Sequence, residues 1–165
     1  KYTTMEKLYG NYERVDRLIQ VGKRRWLLYF GLFEDGNGKY IFQQYFSMKP
    51  SLEEVKKIVI DTINEETQSK IMSGFKWKGN LVWLSEANQL NYSRDFAVAY
   101  YCERKGEDYA LPTYKFGTDD KPVYYLFETF EEFMQFSKSW SQHIADAVSE
   151  GWNEKNNINW SGYDV

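Results

Sequence analysis

The side chains able to do chemistry are few. His143 is the only histidine and Cys102 the only cysteine among the 165 residues, so a His/Cys nucleophile pair or a zinc site would have to be assembled from these two plus carboxylates. His143 falls inside a helical pattern, one residue before Ile144, and Cys102 ends an apolar run. Those settings predict a satisfied helical histidine and a small buried hydrophobe rather than a reactive pair. Carboxylates occur as adjacent pairs at Glu53-Glu54, Glu65-Glu66, Asp119-Asp120 and Glu131-Glu132. Neighbouring residues on a helix point in different directions, so such pairs fit first helical turns, caps and exposed turns before they fit the acid and base of a glycosidase. No phosphate loop, Gly-x-Ser-x-Gly elbow or dinucleotide fingerprint is present, and Gly36-Asn37-Gly38 belongs to a turn. The expectation is a protein that is not an enzyme and holds no metal or cofactor.

Composition narrows the partners. The formal charge is −3 and the isoelectric point near 5.3, which disfavours a dedicated nucleic-acid surface. Lys23-Arg24-Arg25-Trp26 mixes basic and aromatic character, yet basic residues at the mouth of a strand more often form a solvated edge. The apolar runs at residues 26–33 and 96–102 fall short of the ~18 residues that cross a bilayer. Residues 1–10 lack the basic start and apolar stretch of a secretory signal, so no export signal is expected in the chain as given. A lone cysteine excludes an intramolecular disulfide. The unusual feature is six Trp, fourteen Tyr and eleven Phe, 19% of the chain, which serve both cores and recognition surfaces.

The elements that must position these residues follow a pattern repeated three times: two short β-like runs, a turn, then a capped helix. Residues 25–34 and 39–48 flank Asp35-Gly36-Asn37-Gly38, a strong hairpin signal. Ser51 and Glu54 form a capping box ahead of a helix over residues 52–64 with Leu52, Val55, Val59 and Ile63 on one face. Phe75 and Trp77 alternate before a Lys78-Gly79-Asn80 turn and a return run at residues 81–84; Ser85 caps a helix over residues 86–104. Residues 96–102 are apolar on nearly every side, which predicts deep burial or a strand there. Residues 113–116 and 123–127 make the third hairpin, Thr129 and Glu132 a second capping box, and Phe133, Phe136, Trp140, Ile144 and Ala147 a helical face that Gly151 should end. The pattern leaves the fate of the tail, residues 152–165, open. The fold expected is α+β: antiparallel strands packed against helices in three hairpin–helix units, each able to supply a helix to a common core of a single domain spanning residues 1–165, of which 1–70 form an N-terminal hairpin–helix unit.

Residues 71–160 also carry a specific order of words: Gly74-Phe75-Lys76-Trp77-Lys78-Gly79, then Val82-Trp83-Leu84-Ser85, Asn88-Gln89, a hairpin, Thr129-Phe130-Glu131-Glu132-Phe133 and a helix with His143. This order resembles a domain of unknown function that recurs in bacteriophage and prophage tail proteins. Gly74, Phe75, Trp77, Gly79, Trp83 and Gln89 match its motif, and hairpin glycines, core aromatics and a helix-start amide are the roles these types suggest. The resemblance implies a structural or assembly role in a tail fibre or baseplate. It also implies protein partners, a place in the bacterial cytoplasm during assembly or in the virion, and a symmetric homo-oligomer as one form. It supplies no catalytic residue, and residues 1–70 lie outside it. Two other classes compete: a carbohydrate-recognition module, which needs exposed aromatics along a groove with polar neighbours, and a small carboxylate hydrolase, which needs two carboxylates converging in a cleft.

Overall fold

The computed structural model describes residues 5–165. In chain order it contains β1 (Glu6–Tyr9), β2 (Val15–Gln20), β3 (Trp26–Asp35), β4 (Gly38–Phe46), α1 (Leu52–Ser73), β5 (Lys76–Trp77), β6 (Asn80–Leu81), α2 (Glu86–Lys105), β7 (Thr113–Gly117), β8 (Pro122–Leu126), α3 (Phe130–Asn156) and a 3-10 turn (Trp160–Tyr163). All strand pairs are antiparallel, so this is an α+β protein. The three hairpins β3–β4, β5–β6 and β7–β8 each precede a helix; their connections of two, two and four residues are short enough to permit only antiparallel neighbours.

The chain divides into two compact units. One holds the described residues up to Glu66 together with Gly151–Val165, and the other holds Thr67–Glu150. Where the sequence pointed to one common core, the buried side chains form two clusters, one in each unit.

In the first unit, four strands lie in the order β1-β4-β3-β2. The sequence pattern missed β1 and β2. Both are edge strands that carry charge, as edges do to resist further pairing. The β3–β4 turn closes on Asp35 paired with Gly38, with the Asp35 carboxylate accepting the Asn37 N–H at 2.8 Å. One face of the sheet, with Leu18, Leu28, Phe30, Tyr40 and Phe42, packs on Val55, Ile58, Val59 and Ile63 of α1. The tail joins this core through Ile158 and Tyr163. Tyr163 donates its hydroxyl to the Tyr29 carbonyl at 3.1 Å, and the Asn159 N–H meets Asp16 Oδ2 at 3.1 Å. The Ser51–Glu54 box forms in full, with Glu54 accepting from the Ser51 N–H at 2.7 Å and Ser51 Oγ accepting from the Glu54 N–H at 3.2 Å.

In the second unit, Phe116, Phe127, Phe133 and Phe136 are buried together with Ile71, Phe75, Val82 and Leu84. Burial of Ile71 explains why α1 runs to Ser73 instead of ending near residue 64. α3 passes the expected stop at Gly151 and continues to Asn156. Gly151 is buried there, and packing outweighs the roughly 1 kcal/mol that glycine costs a helix. α2 is a helix throughout, capped by Ser85 and closed by Gly106 in the left-handed conformation at φ 67. Its second half is not deeply buried. Tyr92 and Ala99 are buried and Phe96 is half-buried, while Val98, Tyr100 and Tyr101 are exposed. A helix turns a seven-residue apolar run to every side, and only one side of α2 meets the rings of Tyr114, Phe130, Phe133 and Phe136.

Candidate functional site

The residues marked out by the tail-like motif divide between backbone geometry, core and surface. A Cβ on Gly74 would lie 2.5 Å from the Lys70 carbonyl oxygen, so only glycine allows α1 to turn there. Lys78 and Gly79 form the β5–β6 turn with φ 47 and 81, the pair of positive angles that suits a tight hairpin. Phe75 is buried against Phe136 and His143, with ring centroids at 6.2 and 5.5 Å. Trp77 is half-buried, edge-on to Phe136 at 5.5 Å. Gln89 donates its amide to the Leu84 carbonyl at 2.8 Å. Trp83 alone of the six presents a large aromatic face to solvent, at 49% exposure.

The titratable groups are engaged separately. The half-buried His143 ring has Nε2 2.8 Å from the Lys70 carbonyl oxygen, so that nitrogen carries the proton when it donates. Cys102 is a free, half-buried thiol on α2. The adjacent carboxylates part company. Glu53 pairs with Lys56 at 3.1 Å while Glu54 caps α1; Glu131 accepts from Gln135 while Glu132 accepts from Lys78 at 2.5 Å and from the Tyr125 hydroxyl. Burial raises the Glu132 pKa, but the bonds from Lys78, Tyr125 and the Glu128 N–H outweigh it and leave the carboxyl below its ordinary range. Glu66 accepts from the Tyr40 hydroxyl at 2.7 Å and lies 3.5 Å from Lys7; burial, followed by Glu66, raises that phenol. The neighbouring Asp35 is held below its ordinary range, chiefly by the Asn37 N–H and then by Tyr9. General acids require the opposite shift. Among the described residues, no three His, Cys, Asp or Glu side chains gather so as to hold a metal ion.

Three surfaces remain as candidates for recognition. The first is the outward face of α2. Leu90 is 70% exposed, Val98 56% and Tyr101 55%. Leu90, Arg94, Ala97 and Tyr101 follow the four-three-four spacing that places residues along one helical seam. Opposite them, the Tyr92 ring lies tilted against Tyr114 at 4.5 Å and Phe96 lies 5.8 Å from Phe133, and the Tyr114 hydroxyl donates to Asp95 at 2.8 Å. The inner face is therefore fixed by packing, which leaves the outer seam no freedom to rotate inward.

The second surface belongs to the first unit. Strand alternation places Leu8, Val15, Arg17, Ile19, Tyr29 and Ile41 on the sheet face opposite α1. With Tyr12 and Glu13 they line an open groove of about 350 Å³. Its walls are strand and loop side chains, half of them aliphatic (Leu8, Val15, Ile19, Ile41) and the rest Tyr12, Tyr29, Glu13 and Arg17. Gly10 leaves room for the Tyr12 ring, whose Cε2 would lie 2.7 Å from a Cβ there.

The third surface is a groove of about 500 Å³ in the second unit, lined by Leu81, Trp83, Asn88, Lys115, Thr118 and Asp119 together with Gly117.

No family model matches the chain, and neither the curated proteins nor the solved structures include a significant match to it.

Proposed function

We propose that this protein is a non-enzymatic binding module that docks through the outward seam of α2 onto another protein, a component of a phage or prophage tail. The carrying observation is a helix apolar on both sides of which only one is packed, with Leu90, Val98 and Tyr101 each more than half exposed. Exposed apolar side chains gathered along one helical seam are a feature of protein interfaces, and Tyr and Arg, here Tyr101 and Arg94, are among the residues enriched in them. The tail assignment rests on the resemblance of residues 71–160, a stretch that contains α2. The groove of the first unit adds a second exposed surface with an aliphatic component, Leu8, Val15, Ile19 and Ile41, able to take an apolar side chain.

The test places a photo-crosslinking phenylalanine analogue at Tyr101 in the native host and compares the result with the double variant Leu90→Glu and Tyr101→Glu. Both positions are exposed, so thermal stability should stay near wild type. The expected result is a cross-link to one tail component in particles recovered by sedimentation, and loss of the protein from those particles in the charged variant. Retention of the charged variant in the particles, or a cross-link only to a second copy of the chain, would overturn the reading.

A further inference from the structure

Trp83 sits between Val82 and Leu84, both fully buried. The Val82 N–H donates to the Phe75 carbonyl at 2.9 Å and the Leu84 N–H to the Met72 carbonyl at 3.0 Å. The backbone is thus pinned on either side, and alternation turns the indole outward. Asn88 Nδ2 adds a bond to the Trp83 carbonyl at 2.7 Å. The opposite wall is the β7–β8 turn, whose backbone is constrained. Gly117 has φ 81, and a Cβ there would lie 2.3 Å from the Lys121 carbonyl oxygen. Thr118 Oγ1 accepts the Lys121 N–H at 3.2 Å. Lys115 and Asp119 meet at 3.0 Å, with the Asp119 side chain 99% exposed; an ion pair so open to water is easily exchanged for other hydrogen bonds.

The result is an open cleft with one aromatic platform and a rim of balanced polarity: one ammonium, one carboxylate, a hydroxyl and an amide. A phosphate or other anion would meet the Asp119 carboxylate. An apolar peptide would leave the rim desolvated and unpaired. A pyranose ring presents an apolar C–H face to a stacking partner and a rim of hydroxyls that both donate and accept. A volume of about 500 Å³ falls within the range of small-ligand sites.

We propose that this cleft is a subsite for a neutral pyranose sugar, stacked on Trp83 with its hydroxyls bonded to Lys115, Asp119 and Asn88. Apart from Asn88 on the first turn of α2, the site shares no element with the α2 seam and none of its residues, and it does not depend on the docking reading.

The experiment titrates the full chain, with ¹⁵N-labelled tryptophan, against maltotetraose, cellotetraose, the N-acetylglucosamine tetramer and galactotetraose, each to about 10 mM, and against a uridine hexanucleotide. At least one oligosaccharide should move the Trp83 indole N–H resonance saturably, with an affinity of roughly 0.1–10 mM. Trp83→Ala should weaken that binding at least about tenfold without lowering the melting temperature, and Asp119→Ala by about threefold or more. Three results would overturn the proposal: no saturable shift with any of the four sugars, sugar binding that survives Trp83→Ala, or a response to the uridine hexanucleotide alone. The last would make the platform a nucleobase stacker.

Discussion

Replacing Gly162 by alanine tests whether the tail is a structural part of the first unit. The new Cβ would lie 1.9 Å from the Asp16 carbonyl oxygen and 3.0 Å from its carbon, whereas carbon–oxygen contacts settle near about 3.3 Å. The tail must therefore retreat by more than about 1 Å. The hydrogen bonds from the Asn159 N–H to Asp16 and from Tyr163 to the Tyr29 carbonyl, both 3.1 Å, would not survive that shift. Two bonds at about 1 kcal/mol each, with partial re-exposure of Tyr163 at about 1–2 kcal/mol, give a destabilisation of about 3–4 kcal/mol. Urea denaturation followed by circular dichroism measures it, with a lower midpoint at unchanged slope expected. Gly36→Ala is the matched control: nothing lies within 4 Å of a Cβ there, so it should stay within about 0.5 kcal/mol of wild type. Tyr163→Phe removes one bond without the clash and should cost about 1 kcal/mol. A Gly162→Ala protein indistinguishable from Gly36→Ala would refute the docked tail.

Two further outcomes follow from the geometry. Glu54 is held below the ordinary carboxylate range, first by the Ser51 N–H and then by its hydroxyl, and Glu132 is likewise lowered, despite burial, by Lys78, Tyr125 and the Glu128 N–H. Groups lowered in the folded state contribute stability above their unfolded values, near pH 4, and lose it as pH falls through the folded ones. The urea midpoint should therefore fall on acidification below about pH 5, and less steeply in Glu132→Gln; equal pH dependence would remove Glu132 from the account. Gly31→Ala should destabilise by about 2–4 kcal/mol in the same assay, because φ is 75, a Cβ would meet the Phe33 ring 2.3 Å away, and the Gly31 N–H to Asp16 bond at 3.1 Å would shift. The β3–β4 register shifts between Phe30 and Phe33, and a loss below about 1 kcal/mol would show that this irregularity relaxes freely.

The hairpins and caps were legible because their signals are local. Asp35-Gly36-Asn37-Gly38 closes β3–β4, Ser51 and Ser85 cap their helices, and Thr129 Oγ1 accepts the Glu132 N–H at 3.1 Å, each as its spacing predicts. What escaped depended on partners distant in sequence. β1 and β2 are charged runs that become strands only because β4 and β3 offer open edges. The tail finds its place 143 residues away, where Asn159 meets Asp16, and no local pattern encodes that meeting. Gly151 carries a helix-stop signal, yet α3 continues through it where burial decides the outcome.

The surfaces escaped for a related reason. Sequence tells which residues are apolar but not which faces will lack a neighbour. Phe75 and Trp83 belong to the same motif and differ by eight positions, yet one is 7% exposed and the other 49%. The difference arises because Val82 and Leu84 claim the inward positions of a short extended segment and leave Trp83 the outward one. On α2 the same logic works at helical period: Tyr92, Phe96 and Ala99 occupy the packed side, so the apolar residues between them must face outward whatever their hydrophobicity. In both places the core fixes the backbone that carries the exposed ring. An outward aromatic on a backbone already held by packing has only its own side-chain rotamers to order on binding, and that links the two recognition surfaces proposed for this chain, a protein seam on α2 and a sugar platform at Trp83.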